Sequence, residues 1–148
     1  MKFDIAPGTG RVQVTRVFEA SRSRVFSWWA TAEKYQQWSG CKEAVRCDVT
    51  MDFRVGGGFT QVMELAVQGG TCEFIVTGVY EEIVEPERIE YAADLGGAPV
   101  RVTVEFFEQG KNTEVVTTYE GCPDDFFAEN VSRGTSESCD KLQALIAG

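Results

Sequence analysis

The chain has 148 residues, the size of one domain, and carries a net charge of −9 from 14 Lys and Arg against 23 Asp and Glu, with no His. That acidic field disfavours nucleic acid and anionic lipid, both of which are usually met by a basic patch. No apolar run approaches the ~20 residues of a membrane span, and Met1-Lys2-Phe3-Asp4-Ile5 lacks the layout of a secretory signal, so a cytoplasmic protein is expected, with no membrane partner.

From Arg11 to Ala20 the chain alternates, with Val12, Val14, Arg16 and Phe18 on one face, as a half-buried strand does. Ser21 or Ser23 is placed to cap a short helix in which Val25, Phe26 and Trp29 share a face. Thr31 with Glu33 marks a second helix start, carrying Tyr35 towards Trp38, and Ser39-Gly40 closes it. A weak strand pattern runs from Glu43 to Val49. Asp52-Phe53-Arg54-Val55-Gly56-Gly57-Gly58-Phe59 follows, its glycines predicting a turn or a bulge between strands.

Phe59, Gln61, Met63, Leu65 and Val67 alternate as a strand, and Gln68-Gly69-Gly70 predicts a hairpin into a strand with Cys72, Phe74, Val76, Gly78 and Tyr80 on one side. Glu85-Pro86-Glu87 is a turn; Arg88 to Ala92 is a short strand ended by Gly96-Gly97-Ala98-Pro99. Val100, Val102, Val104 and Phe106 form the inner face of another strand, and Gln109-Gly110-Lys111-Asn112 turns it into Thr113 to Glu120. Pro123, Asp124 and Asp125 open a long helix, with proline in the first turn and carboxylates at the positive end of the dipole. On it Phe127, Val131, Thr135, Cys139, Leu142 and Ile146 fall near one face.

The order of elements is one strand, two short helices, about six antiparallel strands and one long helix, an α+β layer architecture. One long and two short helices cannot fill the concave side of a strongly curved sheet, so an internal cavity is expected.

Specific segments carry a resemblance. Arg16-Val17-Phe18-Glu19-Ala20 with Val25-Phe26 and Trp29, then Trp38, then Asp52 to Phe59, then Gly78-Val79-Tyr80-Glu81-Glu82-Ile83-Val84-Glu85-Pro86-Glu87-Arg88-Ile89 occur in order along nearly the whole chain. Together they resemble the START-like (SRPBCC) superfamily, which includes the birch pollen allergens and polyketide cyclases. Within it the chain is most similar to the activator of heat-shock-protein-90 ATPase homologue family. The resemblance implies a helix-grip fold for residues 1–148: a curved antiparallel sheet of about six to seven strands around a long C-terminal helix, with two short helices after the first strand. It also implies a small hydrophobic ligand or a chaperone partner, and no cofactor. Relatives with the longer eukaryotic architecture carry a further N-terminal domain, which weighs against the chaperone reading here. At Gly134-Thr135-Ser136-Glu137-Ser138-Cys139 the chain departs from the family's Gly-Trp-x-x-x-Leu pattern: Thr135 stands where tryptophan is usual and Cys139 where leucine is. Both changes remove volume from the face that should cover the cavity.

The expected ligand-binding residues are therefore the inward positions Trp29, Trp38, Phe59, Gln61, Met63, Phe74, Val76, Tyr91, Phe106, Phe127, Val131, Thr135 and Cys139. No catalytic or metal-binding set is expected. Lack of histidine removes the commonest general base, and the five cysteines form no Cys-x-x-Cys pair, so buried inert thiols are anticipated. Arg16, on an apolar strand face, needs a carboxylate partner or a ligand anion, and the structural pairing is favoured. Glu19, Glu64, Glu73 and Glu90 show no spacing that argues for paired acid–base work. A histidine-free cyclase or hydrolase is the enzymatic alternative, resting on tyrosine, carboxylate or arginine.

Overall fold

The computed structural model describes residues 2–6 (backbone only), 8–40 and 44–147. Among the described residues eight strands form one antiparallel sheet: β1 (Lys2–Ala6), β2 (Arg11–Phe18), β3 (Ala44–Met51), β4 (Gly58–Val67), β5 (Gly70–Val84), β6 (Arg88–Leu95), β7 (Ala98–Gln109) and β8 (Asn112–Glu120). Their spatial order is β1-β2-β8-β7-β6-β5-β4-β3. Helices α1 (Arg22–Ala30) and α2 (Ala32–Trp38) lie in the connection from β2 to β3, and α3 (Asp125–Ala147) follows β8. The curled sheet gripping α3 is the expected α+β helix-grip arrangement.

Differences from the sequence reading are local. The sheet has one strand more than expected, because β1 pairs with β2 from Lys2↔Thr15 to Ala6↔Arg11. Five residues are too few for a periodicity argument to stand out. β6 runs on to Leu95 because Gly96-Gly97 alone make the turn, with Ala98 already paired to Leu95. The start of β3 at Glu43 lies outside the described residues. Pro123 precedes the cap of α3 and is not in its first turn. Asp124 is the cap, its Oδ1 accepting the Phe127 N–H at 2.8 Å. Of the two candidate caps for α1 the first is used: Ser21 Oγ accepts from the Arg24 N–H at 3.4 Å. Thr31 Oγ1 caps α2 by accepting from the Lys34 N–H at 3.3 Å.

The triple-glycine segment is a pinned corner. The Gly56 N–H donates to the Tyr80 carbonyl (2.8 Å) and the Tyr80 N–H to the Gly57 carbonyl (2.9 Å), so the turn is bonded to β5. Gly56 has φ +85°, and a Cβ on Gly57 would lie 2.1 Å from the Asp52 carbonyl oxygen; only glycine fits this path. The register shifts fall at Tyr80/Glu82 and Ala44/Arg46, not at the glycines. β4 therefore keeps an unbroken alternation, with Phe59, Gln61 and Met63 buried on the concave side. Directly opposite Phe59 on β5 is Gly78, where an added Cβ would meet the Phe59 ring at 2.3 Å. The missing side chain at Gly78 is what lets that ring lie flat on the sheet.

One end of the concave face is filled. Phe26, Trp29 and Phe106 meet edge to face at 5.0–5.1 Å, and Phe18, Val25, Leu142 and Ile146 complete this dense core under α1 and the last turns of α3. Arg16 binds β2 to the same half of α3. Its guanidinium donates to Gln143 Oε1 at 2.6 Å, to Asp140 Oδ1 at 2.7 Å and to the Ser136 carbonyl at 3.5 Å. The buried arginine thus has structural partners on α3. On the convex face Arg88 joins Glu82, Glu90 and Glu105, and Arg101 joins Glu81 and Glu90, linking β5, β6 and β7.

Candidate functional site

The opposite end of the concave face is open. Between β4–β8, α2 and the first half of α3 lies a pocket of about 410 Å³. Every expected site residue except Phe106 lines it: Trp29 from α1, Trp38 from α2, Phe59, Gln61 and Met63 from β4, Phe74 and Val76 from β5, Tyr91 from β6, and Phe127, Val131, Thr135 and Cys139 from α3. Phe106 shares their strand face but sits one step too far along β7, where it is closed in by Phe26 and Trp29.

Sequence reasoning missed Tyr35, Thr117, Tyr119, Asn130 and Ser138, which supply most of the polar wall. Two signals pointed to them. Val115, Thr117 and Tyr119 alternate along β8, so the inner face was legible once Val115 was taken as core. Tyr35 precedes Trp38 by one helical step of three, which puts both on one face of α2, with rings 5.1 Å apart.

The tyrosines follow from the register. Tyr80 pairs with Tyr91, Tyr91 with Val102 and Val102 with Tyr119, so three tyrosines stand in one row across β5 to β8 around a small Val102. Tyr119 Oη and Thr135 Oγ1 are 2.7 Å apart, joining the sheet floor to α3. Tyr35, from α2, lines the same wall as Tyr91. Tyr80 is more deeply placed, its hydroxyl donating to Met51 Sδ at 3.7 Å. Ser138 Oγ donates to the Gly40 carbonyl at 2.8 Å, holding α3 to the end of α2, and Trp38 Nε1–H is already spent on the Trp28 carbonyl at 3.0 Å.

No charged residue lines the pocket among the described residues. Burial, before any other cause, raises the pKa of every ionisable group in its wall. Tyr119 is pushed up to about 12 by burial, with the Thr135 hydrogen bond acting against the shift. Tyr35 and Tyr91 are raised as well, by burial first and then by neighbouring tyrosines. The Cys139 thiol is pushed up to about 12 by burial, the nearby Arg16 charge opposing. At neutral pH this wall is uncharged: three phenols and a thiol, all protonated. A thiol held so far from its thiolate is a poor nucleophile. Burial of the thiols, expected from the sequence, holds for Cys122 and Cys139 but not for Cys72, which is exposed near the start of β5, while Cys47 is half-buried.

The carboxylates considered from sequence lie elsewhere. Glu90 is on the convex face, its pKa lowered by hydrogen bonds from Arg88 and then Arg101. Glu64 and Glu73 face each other across β4 and β5 beside Arg46 and Asp48 in a small outer groove. Glu19 is exposed. Among the described residues no three His, Cys, Asp or Glu side chains gather as a metal site, and no helix is long and apolar enough to cross a membrane.

The family model described as activator of Hsp90 ATPase homolog 1-like protein matches residues 19–147. The chain belongs to this family. Solved structures share the fold: a Chromobacterium violaceum protein is 25% identical, with a TM-score of 0.78 over 91% of this chain and 96% of its own. A Rhizobium leguminosarum protein is 26% identical, with a TM-score of 0.75 over 99% of this chain and 97% of its own. A Mycobacterium smegmatis protein at 16% identity has a TM-score of 0.81 over 99% of this chain and 97% of its own, a likeness of fold alone. No curated protein matches the chain. The matched range includes the segments around Trp29, Trp38, the triple glycine and the Gly78 to Ile89 hairpin.

Proposed function

We propose that this family member binds a small, predominantly apolar molecule in the pocket between the sheet and α3. The observation that carries the reading is the pocket itself: about 410 Å³, walled by aromatic and aliphatic side chains with a few hydroxyls and amides and no charge. That volume and lining match those of small-molecule sites, ~300–1,000 Å³ with few polar groups. Thr135 and Cys139 sit on the pocket-facing side of α3, so the two volume-reducing departures from the family pattern coincide with the space.

The test is native mass spectrometry of the purified protein, looking for a bound small molecule, followed by calorimetric titration with 2-ethylnaphthalene. A co-purified mass or saturable one-to-one binding is the expected result. No binding of either kind removes the reading. The family's description names a chaperone ATPase activator; a pull-down with the 90-kDa heat-shock protein tests that alternative, and a stable complex formed with an empty pocket would favour it.

A further inference from the structure

The hydroxyls of the pocket wall can be counted proton by proton. Tyr119 Oη and Thr135 Oγ1 share one hydrogen bond of 2.7 Å, and among the described residues neither oxygen has another partner. Two hydroxyls carry two protons and one bond uses one of them, whichever group donates. The second proton is left facing the pocket that both residues line. Tyr35 and Tyr91 line the same pocket. Tyr91 and Tyr119 stand two strands apart on one row, roughly 10 Å between backbones, with only Val102 between them. Ser138 Oγ donates to the Gly40 and Gly134 carbonyls, and Gln61 Nε2 donates one proton to Cys47 Sγ at 3.5 Å.

We propose that the pocket selects an uncharged ligand whose apolar body carries a carbonyl-type oxygen, received by the Tyr119–Thr135 hydroxyl pair. This rests on the ligand-binding reading above and assigns its chemistry. A carbonyl oxygen accepts hydrogen bonds and brings no proton of its own, which suits a site with a surplus donor. A carboxylate or an ammonium would be stripped of water in a wall that offers no counter-charge. A pure hydrocarbon would bury the surplus proton unpaired.

The experiment compares three probes of one shape by calorimetry at pH 7.5: 2-acetylnaphthalene, 2-ethylnaphthalene and 2-naphthoate. The ketone is expected to bind about five- to tenfold more tightly than the hydrocarbon, the effect of roughly one net hydrogen bond. The carboxylate is expected to bind at least tenfold more weakly than the ketone. The proton count makes a sharper demand. Thr135→Val leaves Tyr119 with its own proton and keeps the ketone preference, whereas the double variant T135V/Y119F removes both and reduces it to about twofold or less. Retained hydrocarbon binding in the double variant reports an intact fold and pocket. Equal affinity for ketone and hydrocarbon in the unaltered protein, or 2-naphthoate binding as tightly as the ketone, overturns the assignment while leaving the pocket reading in place. If none of the three binds, the pocket reading falls and this assignment with it.

Discussion

Thr135→Trp places a bulky side chain on the pocket side of α3, and it should fill the pocket from above. A tryptophan buries roughly 150–250 Å², and Thr135 is already half-buried, so about 100 Å² of extra apolar surface leaves water. At about 25 cal/mol/Å² that stabilises by ~2.5 kcal/mol. Against it stand the lost hydrogen bond to Tyr119, about 1 kcal/mol, and the ordering of a larger side chain, about 0.5–1 kcal/mol. The net is a gain of roughly 0.5–1 kcal/mol, which for a chain of this size raises the melting temperature by about 1–4 °C. The same indole occupies space that 2-ethylnaphthalene would need, so binding should weaken at least tenfold. Thermal unfolding followed by circular dichroism and calorimetric titration measure the two effects on one sample. The reasoning fails if T135W binds the probe as tightly as the unaltered chain, since Thr135 would then not face usable space. It fails equally if the variant melts several degrees lower, since the pocket would then be closed to an indole.

The remaining expectations concern the scaffold and its titration. Gly57→Ala should cost more than ~2 kcal/mol in urea unfolding, because its Cβ would fall 2.1 Å from the Asp52 carbonyl oxygen. Gly56→Ala, with φ +85° but open space around it, should cost only about 1 kcal/mol; a reversed ranking would argue that the turn relaxes freely. Arg16→Met should destabilise by about 2–4 kcal/mol, since it removes charge-assisted bonds to Gln143 and Asp140 from a buried position. Asp140→Asn should cost less than ~1 kcal/mol, because Asp140 is largely exposed. Stability should hold through neutral pH and fall in alkali. The folded Tyr119 and Cys139 both titrate near 12, above their ordinary values of 10.0 and 9.0, so between about pH 9 and 12 the unfolded chain loses protons that the folded chain keeps. Urea midpoints measured across that window should decline with rising pH, and a flat profile would contradict the burial of these groups. At pH 8 the exposed Cys72 should alkylate before Cys122 and Cys139, as read by peptide mass spectrometry.

Much of this was legible along the chain. The period-two faces of β2, β4, β5 and β7 named most of their inward residues, because side-chain direction in a strand depends only on parity, but Val67 and Cys72, beside the β4–β5 hairpin turn, are exposed. The caps Ser21 and Thr31 and the glycine corner were legible for the same reason: each is settled by neighbours a few residues away. Phe106 shows the limit. Parity places it on the concave face, yet which end of that face is solid and which is hollow depends on where α1 and α3 lie across the sheet.

The polar half of the pocket belongs to that second class. Tyr35, Tyr91, Tyr119 and Thr135 come from four elements spread over most of the chain, and no local pattern links them. Strand register sets Tyr91 level with Tyr119, and the placement of α3 brings Thr135 to 2.7 Å from the Tyr119 hydroxyl. The sequence by itself determined which residues of the central strands turn inward and that α3 carries small side chains, Thr135 and Cys139, on that face. Only the tertiary structure decided that the missing volume is a pocket, that its wall is uncharged and that Arg16 is committed to α3. Facing follows from local periodicity, whereas a void and its hydrogen bonds are properties of several elements at once.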